Sequence, residues 1–237
     1  GVTPCFKLND WVQKRTVMKT TKLLASCMSD GDTVISEEDD ENSALEHVVA
    51  PLRRDELQLG EMLGQGSFAR VYEVTALDIK DFLCLNCSSR ESDARQRLKS
   101  ATEESRHMGL EDRMYAVKHL KKELLRRPKL FYEAACALNN EAHLMARLDH
   151  PNILKLRGVP LGGVSAFAQT GTFDSFFIMT DRLSETLEER IQGWKGSTTH
   201  RNMPSATKII TKSRYALALA SALDYLHDRR FIYRDLK

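Results

Sequence analysis

The first residues whose types and spacing could support chemistry form a glycine-rich turn, Gly64-Gln-Gly66-Ser-Phe-Ala69-Arg-Val71. Because glycine has no Cβ, a backbone of this kind can lie close to a phosphate group. Alternating apolar residues on both sides predict two strands joined as a hairpin. A strand after the turn excludes a dinucleotide-binding fingerprint, and no Gly-Lys-Ser/Thr follows as a P-loop requires. Gly-x-Gly hairpins are common, so the turn needs chemical partners elsewhere in the chain to be informative.

A lysine and a glutamate could supply those partners. Lys118 closes the strand pattern Ala116-Val117-Lys118, where an ammonium group among apolar residues needs a polar partner. Glu141 lies on the apolar face of a predicted helix, where its carboxylate needs a cation. A pair between the two would aim the ammonium at the α- and β-phosphates of a nucleotide. The plain alternatives are a lysine that reaches water at a sheet edge and a glutamate at the rim of the core.

A charged run follows the last predicted helix, Tyr233-Arg-Asp235-Leu-Lys237. Asp235 could accept or orient the proton of an attacking hydroxyl group, and Lys237 could stabilise a transferred phosphoryl group by its charge. The plain alternative is a solvated turn.

The elements that would position these residues are strands in the first part of the chain and helices in the last part, an α+β arrangement. Strands are predicted at 57–63, 71–74, 114–120, 153–156 and 176–179, helices at 130–148 and 212–227, and loops at 78–112 and 193–206. The segment 78–112 is rich in Ser, Arg, Glu and Asp and is predicted to be a long, mobile insertion.

Composition excludes several classes of protein. The chain has 237 residues, 42% of them apolar and 29% charged, and a formal net charge of +2. This balance is ordinary for a globular protein and argues against a nucleic-acid partner. No stretch reaches the roughly 18 consecutive apolar residues of a membrane span, and the segment after Gly1 lacks a signal-peptide pattern.

The cysteines indicate a compartment. There are five of them, an odd and scattered set that suits free thiols in a reducing environment. We therefore expect an intracellular, cytoplasmic protein. Cys84-Leu-Asn-Cys87 has metal-ligand spacing, but a structural zinc site needs four ligands and no second cysteine pair exists. No metal site is predicted from these residues.

These motifs follow one another in a fixed order, and each lies on the type of secondary structure that it requires. In this they resemble a eukaryotic protein kinase domain from about Leu57 onward. The run from Glu141 to His150-Pro-Asn-Ile153 is similar to the family's segment between its third helix and fourth strand. Tyr225-Leu-His227 followed by Tyr-Arg-Asp-Leu-Lys is similar to the entry into its catalytic loop.

The resemblance implies a two-lobe fold. A small β-rich lobe would span 51–179 with an insertion at 78–112, and the hinge and the start of the helical large lobe would span 180–237. The acidic run Glu37-Glu-Asp-Asp-Glu41 predicts a disordered tail over 1–50.

The resemblance also implies roles for single residues, with ATP and Mg²⁺ as cofactors and a protein as substrate. Lys118 would contact phosphate and pair with Glu141, Asp235 would be the catalytic base and Lys237 its companion. The remaining nucleotide contacts would be Gly64, Gly66 and Val71 over the nucleotide, Ala116 above the adenine, Thr180 as gatekeeper, and Asp181, Arg182 and Leu183 as the hinge. A lysine two positions after the aspartate resembles the serine/threonine branch.

Three departures from the family pattern stand out. Ala69 replaces a glycine, which is expected to stiffen the turn, and Tyr233 stands where histidine is commoner. The family's metal-binding Asn, five positions after the aspartate, and its Asp-Phe-Gly do not fall within 1–237. We therefore expect a domain truncated within its catalytic loop, with no phosphoryl transfer by this polypeptide alone. The alternatives are a pseudokinase that binds nucleotide or acts as a scaffold, and an unrelated α+β binding module.

Overall fold

The structure is a computed structural model that describes residues 49–80, 88–108, 114–162, 176–196 and 205–233. The chain divides into two compact units. The described part of the first unit runs from residue 49 to 147 and from 155 to 182. The second unit contains 148–154 and the described residues after 182. Asp235, Lys237, Cys84 and Cys87 lie outside the described residues, as do residues 1–48 of the predicted tail. The tail boundary predicted at residue 50 is wrong, because Ala50 is buried and begins a strand.

The first unit is built on a six-stranded sheet in the order β1-β5-β6-β4-β3-β2. Its strands are β1 Ala50–Leu52, β2 Leu57–Gln65, β3 Ala69–Leu77, β4 Tyr115–Leu120, β5 Leu156–Pro160 and β6 Phe177–Asp181. The described helices are α1 Ser89–His107, α2 Pro128–Ala146, α3 Leu187–Gly196 and α4 Ser205–Asp228, with 3₁₀ turns at Arg54–Glu56 and Lys122–Arg126. β1 and β5 are parallel, and the other neighbouring strands are antiparallel.

The β2–β3 hairpin and helix α2 confirm the sequence predictions. Helix α2 begins at Pro128, a residue whose fixed φ suits the first helical position. Its buried positions Phe131, Ala134, Ala135 and Leu138 recur at helical spacing and pack on one face of the sheet. Phe131 is fully buried and meets Phe176 edge to face, with 4.9 Å between ring centroids. This face, which we call the inner face, holds the first core.

The prediction of a structureless insertion at 78–112 is wrong, because residues 89–107 form helix α1. Ser88 caps the helix: its hydroxyl accepts from the Glu91 amide, and the Glu91 carboxylate accepts from the Ser88 amide. The buried positions Ala94, Leu98 and Thr102 recur every fourth residue. Together with Arg95 they are the four buried side chains of a helix rich in charged residues, so the composition of the segment concealed the helix.

Helix α1 covers the outer face of the sheet, opposite α2. Ala94 and Leu98 join a second core with Tyr115, Val117 and Phe177. Since side chains alternate between faces along a strand, Val117 points outward between two inward-facing neighbours. The first unit therefore has three layers: α1, the sheet and α2.

Strand β1 was not predicted from the sequence. It is only three residues long and adds in parallel to the free edge of β5. Leu52 of β1 is fully buried, and a Cβ built on Gly158 of β5 would lie 2.4 Å from Leu52 Cδ1. Gly158 therefore allows the close approach of Leu52, and a larger residue there would force the buried Leu52 side chain to move.

A buried ion pair joins α1 to the 3₁₀ turn after β1 and to the segment that follows β3. Arg95 on α1 donates to both carboxylate oxygens of Glu56, at 2.6 and 3.1 Å, and both side chains are almost completely buried. The same guanidinium donates to the carbonyls of Pro51 at 2.6 Å and Lys80 at 3.0 Å. Glu56 also accepts from the amides of Arg53 and Lys80. The charges are thus both paired and hydrogen-bonded, which a buried ion pair requires.

Several other predicted boundaries shift. The strand expected at 153–156 lies at 156–160, because residues 151 and 152 form a turn closed by a hydrogen bond from the Ile153 amide to the His150 carbonyl. The strand expected at 176–179 is β6, two residues longer at its end. The helix expected at 212–227 starts at Ser205. Part of the loop expected at 193–206 is wrong, since 193–196 close helix α3 and 205–206 open α4.

The second unit centres on helix α4. The Tyr225 hydroxyl accepts from the Asp149 amide at 2.8 Å, and the Tyr225 ring lies 5.0 Å from the His150 ring. A further ring contact joins Trp194 of α3 to Tyr215, with 5.6 Å between centroids. Several large apolar side chains of α4 are exposed among the described residues, including Ile209, Ile210, Leu217 and Leu219. The helix therefore has more apolar surface than the described contacts cover.

The start of α3 makes a pH-dependent prediction. The Thr186 amide and hydroxyl donate to Glu189 Oε2 at 2.7 and 2.9 Å, and together they hold the pKa of Glu189 below its ordinary value of 4.5, the amide most strongly. Because the folded pKa is depressed, the contribution to stability is complete above about pH 4.5 and is lost as the pH falls through the folded pKa. We expect an NMR titration midpoint for Glu189 below 4.5, raised by Thr186→Ala. A midpoint at or above 4.5 in the unaltered chain would contradict this.

The turn after α4 makes a second prediction. Arg230 has a φ of 62°, in the left-handed region that costs residues with a Cβ about 1–2 kcal/mol. The turn closes α4 through a hydrogen bond from the Phe231 amide to the Leu226 carbonyl at 2.9 Å. We expect Arg230→Gly to raise the free energy of unfolding of this unit by about 0.5–1 kcal/mol, after the entropy cost of glycine. Urea denaturation checks this, with Asp228→Gly as a destabilising control. A loss of stability in Arg230→Gly would refute it.

Candidate active site

The structure brings Lys118 and Glu141 together, as their patterns in the sequence predict. Lys118 Nζ on β4 lies 2.7 Å from Glu141 Oε1 and 2.5 Å from Oε2 on α2. The exposed fraction is 37% for the Lys118 side chain and 39% for the Glu141 side chain. Because α2 packs on the inner face, the ion pair stands on that face with its ammonium group open to one further anionic ligand.

Three more of the predicted nucleotide contacts share this face. In the register of the sheet, Val71 lies opposite Lys118, and Ala116 lies opposite Thr180. Directly opposed residues of antiparallel strands point to the same face. Ala116 is buried, whereas Val71 and Thr180 are partly exposed. The lysine therefore stands next to a patch of small and apolar side chains, which suits a flat ring attached to phosphates.

The glycine-rich turn is closed by the Gly66 amide, which donates to the Ala69 carbonyl at 2.9 Å. A Cβ built on Gly64 would have no atom within 4 Å, and one on Gly66 would have only the Ala69 carbonyl oxygen at 3.9 Å. Packing within the described residues therefore does not require these glycines, which leaves the backbone open to a ligand. The Phe68 carbonyl accepts from the Lys121 amide at 2.8 Å and ties the turn to the end of β4.

The structure explains why alanine, and not glycine, occupies position 69. The side chain is buried in the same core as Phe131 and Leu138 of α2. Its methyl group therefore anchors the turn to the core between sheet and helix, whereas a glycine at this position would leave that contact empty.

The end of β6 carries the residues predicted as the hinge. The Asp181 carboxylate accepts from Arg157 of β5 at 2.6 and 3.0 Å, in a two-point contact. Arg182 Nη1 lies 3.0 Å from Glu73 Oε2 on β3. Leu183, the last predicted hinge residue, belongs to the second unit and is 66% exposed.

Sequence reasoning missed Glu73 and Arg157. Glu73 could have been found from the sequence, because it lies two positions after Val71 in a strand with alternating apolar residues. That spacing places its carboxylate on the same face as Val71. Arg157 gave no such signal, because it precedes a glycine in a strand whose start was misplaced.

The described residues hold no group of three or more His, Cys, Asp and Glu side chains that could bind a metal ion. The zinc alternative at Cys84 and Cys87 and the predicted catalytic residues Asp235 and Lys237 cannot be placed, since all four lie outside the described residues. Among the helices that are described, none is both long enough and apolar enough to cross a membrane.

The small lobe of a protein kinase is defined by a glycine-rich hairpin and by a strand lysine paired with a helix glutamate on one face of a mainly antiparallel sheet. The family model for the protein kinase domain matches residues 108–237, more than half of the chain, and the chain belongs to this family. The match includes Lys118 and Glu141 and begins at the end of α1. The fold is α+β, with the sheet of the small lobe followed by the first helices of the large lobe.

Individual relatives include both branches of the family. The chain is 38% identical to the tyrosine-protein kinase transforming protein ros of UR2 avian sarcoma virus over 108 residues, 46% of this chain and 19% of that protein. It is 30% identical to the proto-oncogene tyrosine-protein kinase ROS of Mus musculus over 77% of this chain and 6% of the relative. It is 27% identical to leucine-rich repeat serine/threonine-protein kinase 1 of Caenorhabditis elegans over 77% of this chain and 7% of the relative. The chain thus spans a small part of each relative.

Proposed function

We propose that this kinase domain binds ATP on the inner face of its sheet and transfers the γ-phosphoryl group to serine and threonine hydroxyls of a protein substrate. The observation that carries the proposal is the ion pair between Lys118 and Glu141, at 2.5 and 2.7 Å. Glu141 holds the ammonium group on the inner face of the sheet, where it acts on the α- and β-phosphates as a point charge.

The other roles are part of the same proposal. The backbone at Gly64 and Gly66 covers the phosphates, since no side chain there blocks their approach. Val71 and Ala116 contact the adenine ring from above. The gatekeeper Thr180 limits the depth of the pocket, and the backbone of Asp181 and Leu183 hydrogen-bonds the edge of the adenine. Asp235 orients the attacking hydroxyl, and Lys237 stabilises the transferred group.

Mg²⁺ neutralises charge on the phosphates when it is bound with ATP. The family pattern assigns its ligands to the Asn five positions after the catalytic aspartate and to Asp-Phe-Gly, and neither falls within residues 1–237. We therefore propose that the polypeptide 1–237 by itself binds nucleotide and transfers no phosphate.

The finer assignments belong to the same proposal. Lys237, two positions after Asp235, supports the serine/threonine branch. The small lobe is proposed to span 51–179, and the hinge and the start of the large lobe 180–237. The disordered tail is proposed to end before Val49, since Ala50 begins β1. The scattered cysteines support an intracellular location.

The test is calorimetric titration of the purified chain 1–237 with MgATP, followed by incubation with radiolabelled ATP and a mixed protein substrate. We expect saturable one-site binding without labelling of the substrate. Absence of binding would contradict the proposed ATP site, and labelling would contradict the proposed inactivity. In a longer form of the chain that carries the Asn and Asp-Phe-Gly, phosphoamino-acid analysis should yield phosphoserine and phosphothreonine. Phosphotyrosine alone would contradict the branch, and no product at all would favour a pseudokinase.

A further inference from the structure

Two ion pairs hold the end of β6, one from each side. Asp181 is bound in two-point contact by Arg157 of the neighbouring strand β5. Arg182 reaches across β4 to Glu73 of β3, at 3.0 Å. The backbone is held as well, because the Asp181 amide donates to the Lys155 carbonyl at 3.3 Å and the Arg182 amide donates to the Met114 carbonyl at 2.8 Å. The segment therefore has one fixed register against the sheet.

Glu73 occupies a fitted, buried position on the inner face. It lies opposite Ala116 in the sheet, two positions from Val71, and so shares its face with Lys118. Its side chain is 93% buried, since only 7% of it remains exposed. A Cβ built on Gly60 of β2 would lie 2.5 Å from Glu73 Oε1, so Gly60 leaves the space that this carboxylate fills.

The hydrogen bonding of the Glu73–Arg182 pair is incomplete. The Nε of Arg182 is buried without a hydrogen-bond partner among the described residues. An unsatisfied buried donor is unfavourable, and native proteins keep few of them. A guanidinium held at such a cost, at the residue that follows β6, indicates that its position matters for what this segment does.

We propose that Glu73 is a positioning residue for the adenine base. Acting through Arg182, it fixes the direction of the peptide groups of Asp181 and Arg182, which belong to the base end of the proposed ATP site. This inference rests on the proposed function and extends it to a residue that has no contact with the phosphates. Lys118 and Glu141 then hold the triphosphate end of the nucleotide, and the Glu73–Arg182 pair sets the base end.

The test compares two probes on the chain 1–237, MgATP and magnesium tripolyphosphate, in the unaltered chain and in Glu73→Gln. Tripolyphosphate has no base, so it reports on the lysine end alone. We expect Glu73→Gln to weaken MgATP binding by roughly fivefold to tenfold, the loss expected when about one hydrogen bond is misaligned. The dissociation constant for tripolyphosphate should not change.

A second variant distinguishes a loss of ATP affinity from a loss of folding. Glu73→Gln leaves the partly buried Arg182 without a negatively charged partner, which can destabilise the unit. The double variant Glu73→Leu/Arg182→Met removes both charges together and should keep the fold while still losing affinity for ATP alone. The matched control is Glu56→Gln, which breaks the buried pair on the outer face and should leave the ratio of the two affinities unchanged.

The outcomes separate this proposal from the one on which it rests. Unchanged ATP affinity in both Glu73 variants, or parallel losses for the two probes, would overturn the positioning role. An unaltered chain that binds neither probe would contradict the proposed ATP site itself and the positioning role with it. Selective loss of ATP affinity in the double variant, with the control unchanged, would establish the role.

Discussion

Replacing Lys118 by methionine is expected to weaken MgATP binding by about 2 kcal/mol, or roughly thirtyfold. A hydrogen bond to a charged group typically contributes about 1.5–3 kcal/mol, and methionine keeps the length of the side chain without its charge. The free energy of unfolding should change little, because the pair with Glu141 is more than a third exposed and such pairs contribute little to stability. Calorimetric titration gives the first quantity and urea denaturation the second.

Two further variants sharpen this result. Glu141→Gln should have a smaller effect on ATP affinity than Lys118→Met, because the glutamate acts only by orienting the ammonium group. Lys122→Met is the control, since that exposed lysine opens the 3₁₀ turn after β4. Equal affinities for Lys118→Met and the control would remove Lys118 from the site.

The largest effect on stability is expected at Arg95. Arg95→Met leaves the Glu56 carboxylate buried without its cation, and removing one partner of a buried pair typically costs about 3–5 kcal/mol. The variant should also release the Pro51 and Lys80 carbonyls, which the guanidinium now satisfies. Urea denaturation, followed by the intrinsic fluorescence or circular dichroism of the chain, measures the change.

Two controls test whether burial is the cause. Arg53→Met removes an ion pair with Asp55 in which both side chains are about half exposed, and it should change stability by less than about 1 kcal/mol. Arg95→Met/Glu56→Leu removes both buried charges and should recover much of the loss. A cost for Arg95→Met no larger than for Arg53→Met would mean that α1 does not dock on the sheet as described.

The sequence predicted what local periodicity and residue chemistry control. The hairpin around Gly64 could be predicted because alternation and turn chemistry act over a few residues, and α2 because its apolar stripe is wide. The pairing of Lys118 with Glu141 could be predicted because each residue is a charge among apolar neighbours and so needs a partner of opposite charge. The family resemblance then joined these separate observations.

What could not be predicted depends on contacts between distant segments. Helix α1 buries only four side chains along its 19 residues, so its docking surface exists only once the outer face of the sheet has formed. Strand β1 is too short to show alternation, and its position follows from the fit of Leu52 over Gly158. Glu73 and Arg182 are more than a hundred positions apart, and only the sheet register brings them together.

The most direct test of the central claim uses an acyl phosphate of ATP, which transfers its acyl group to an amine next to the bound phosphates. Peptide mapping of the labelled chain then identifies the amine. We predict acylation at Lys118 that excess MgATP suppresses, with Lys121 and Lys122 as internal references on the same peptide segment. Acylation spread evenly over the lysines and insensitive to MgATP would contradict an ATP site at the Lys118–Glu141 pair.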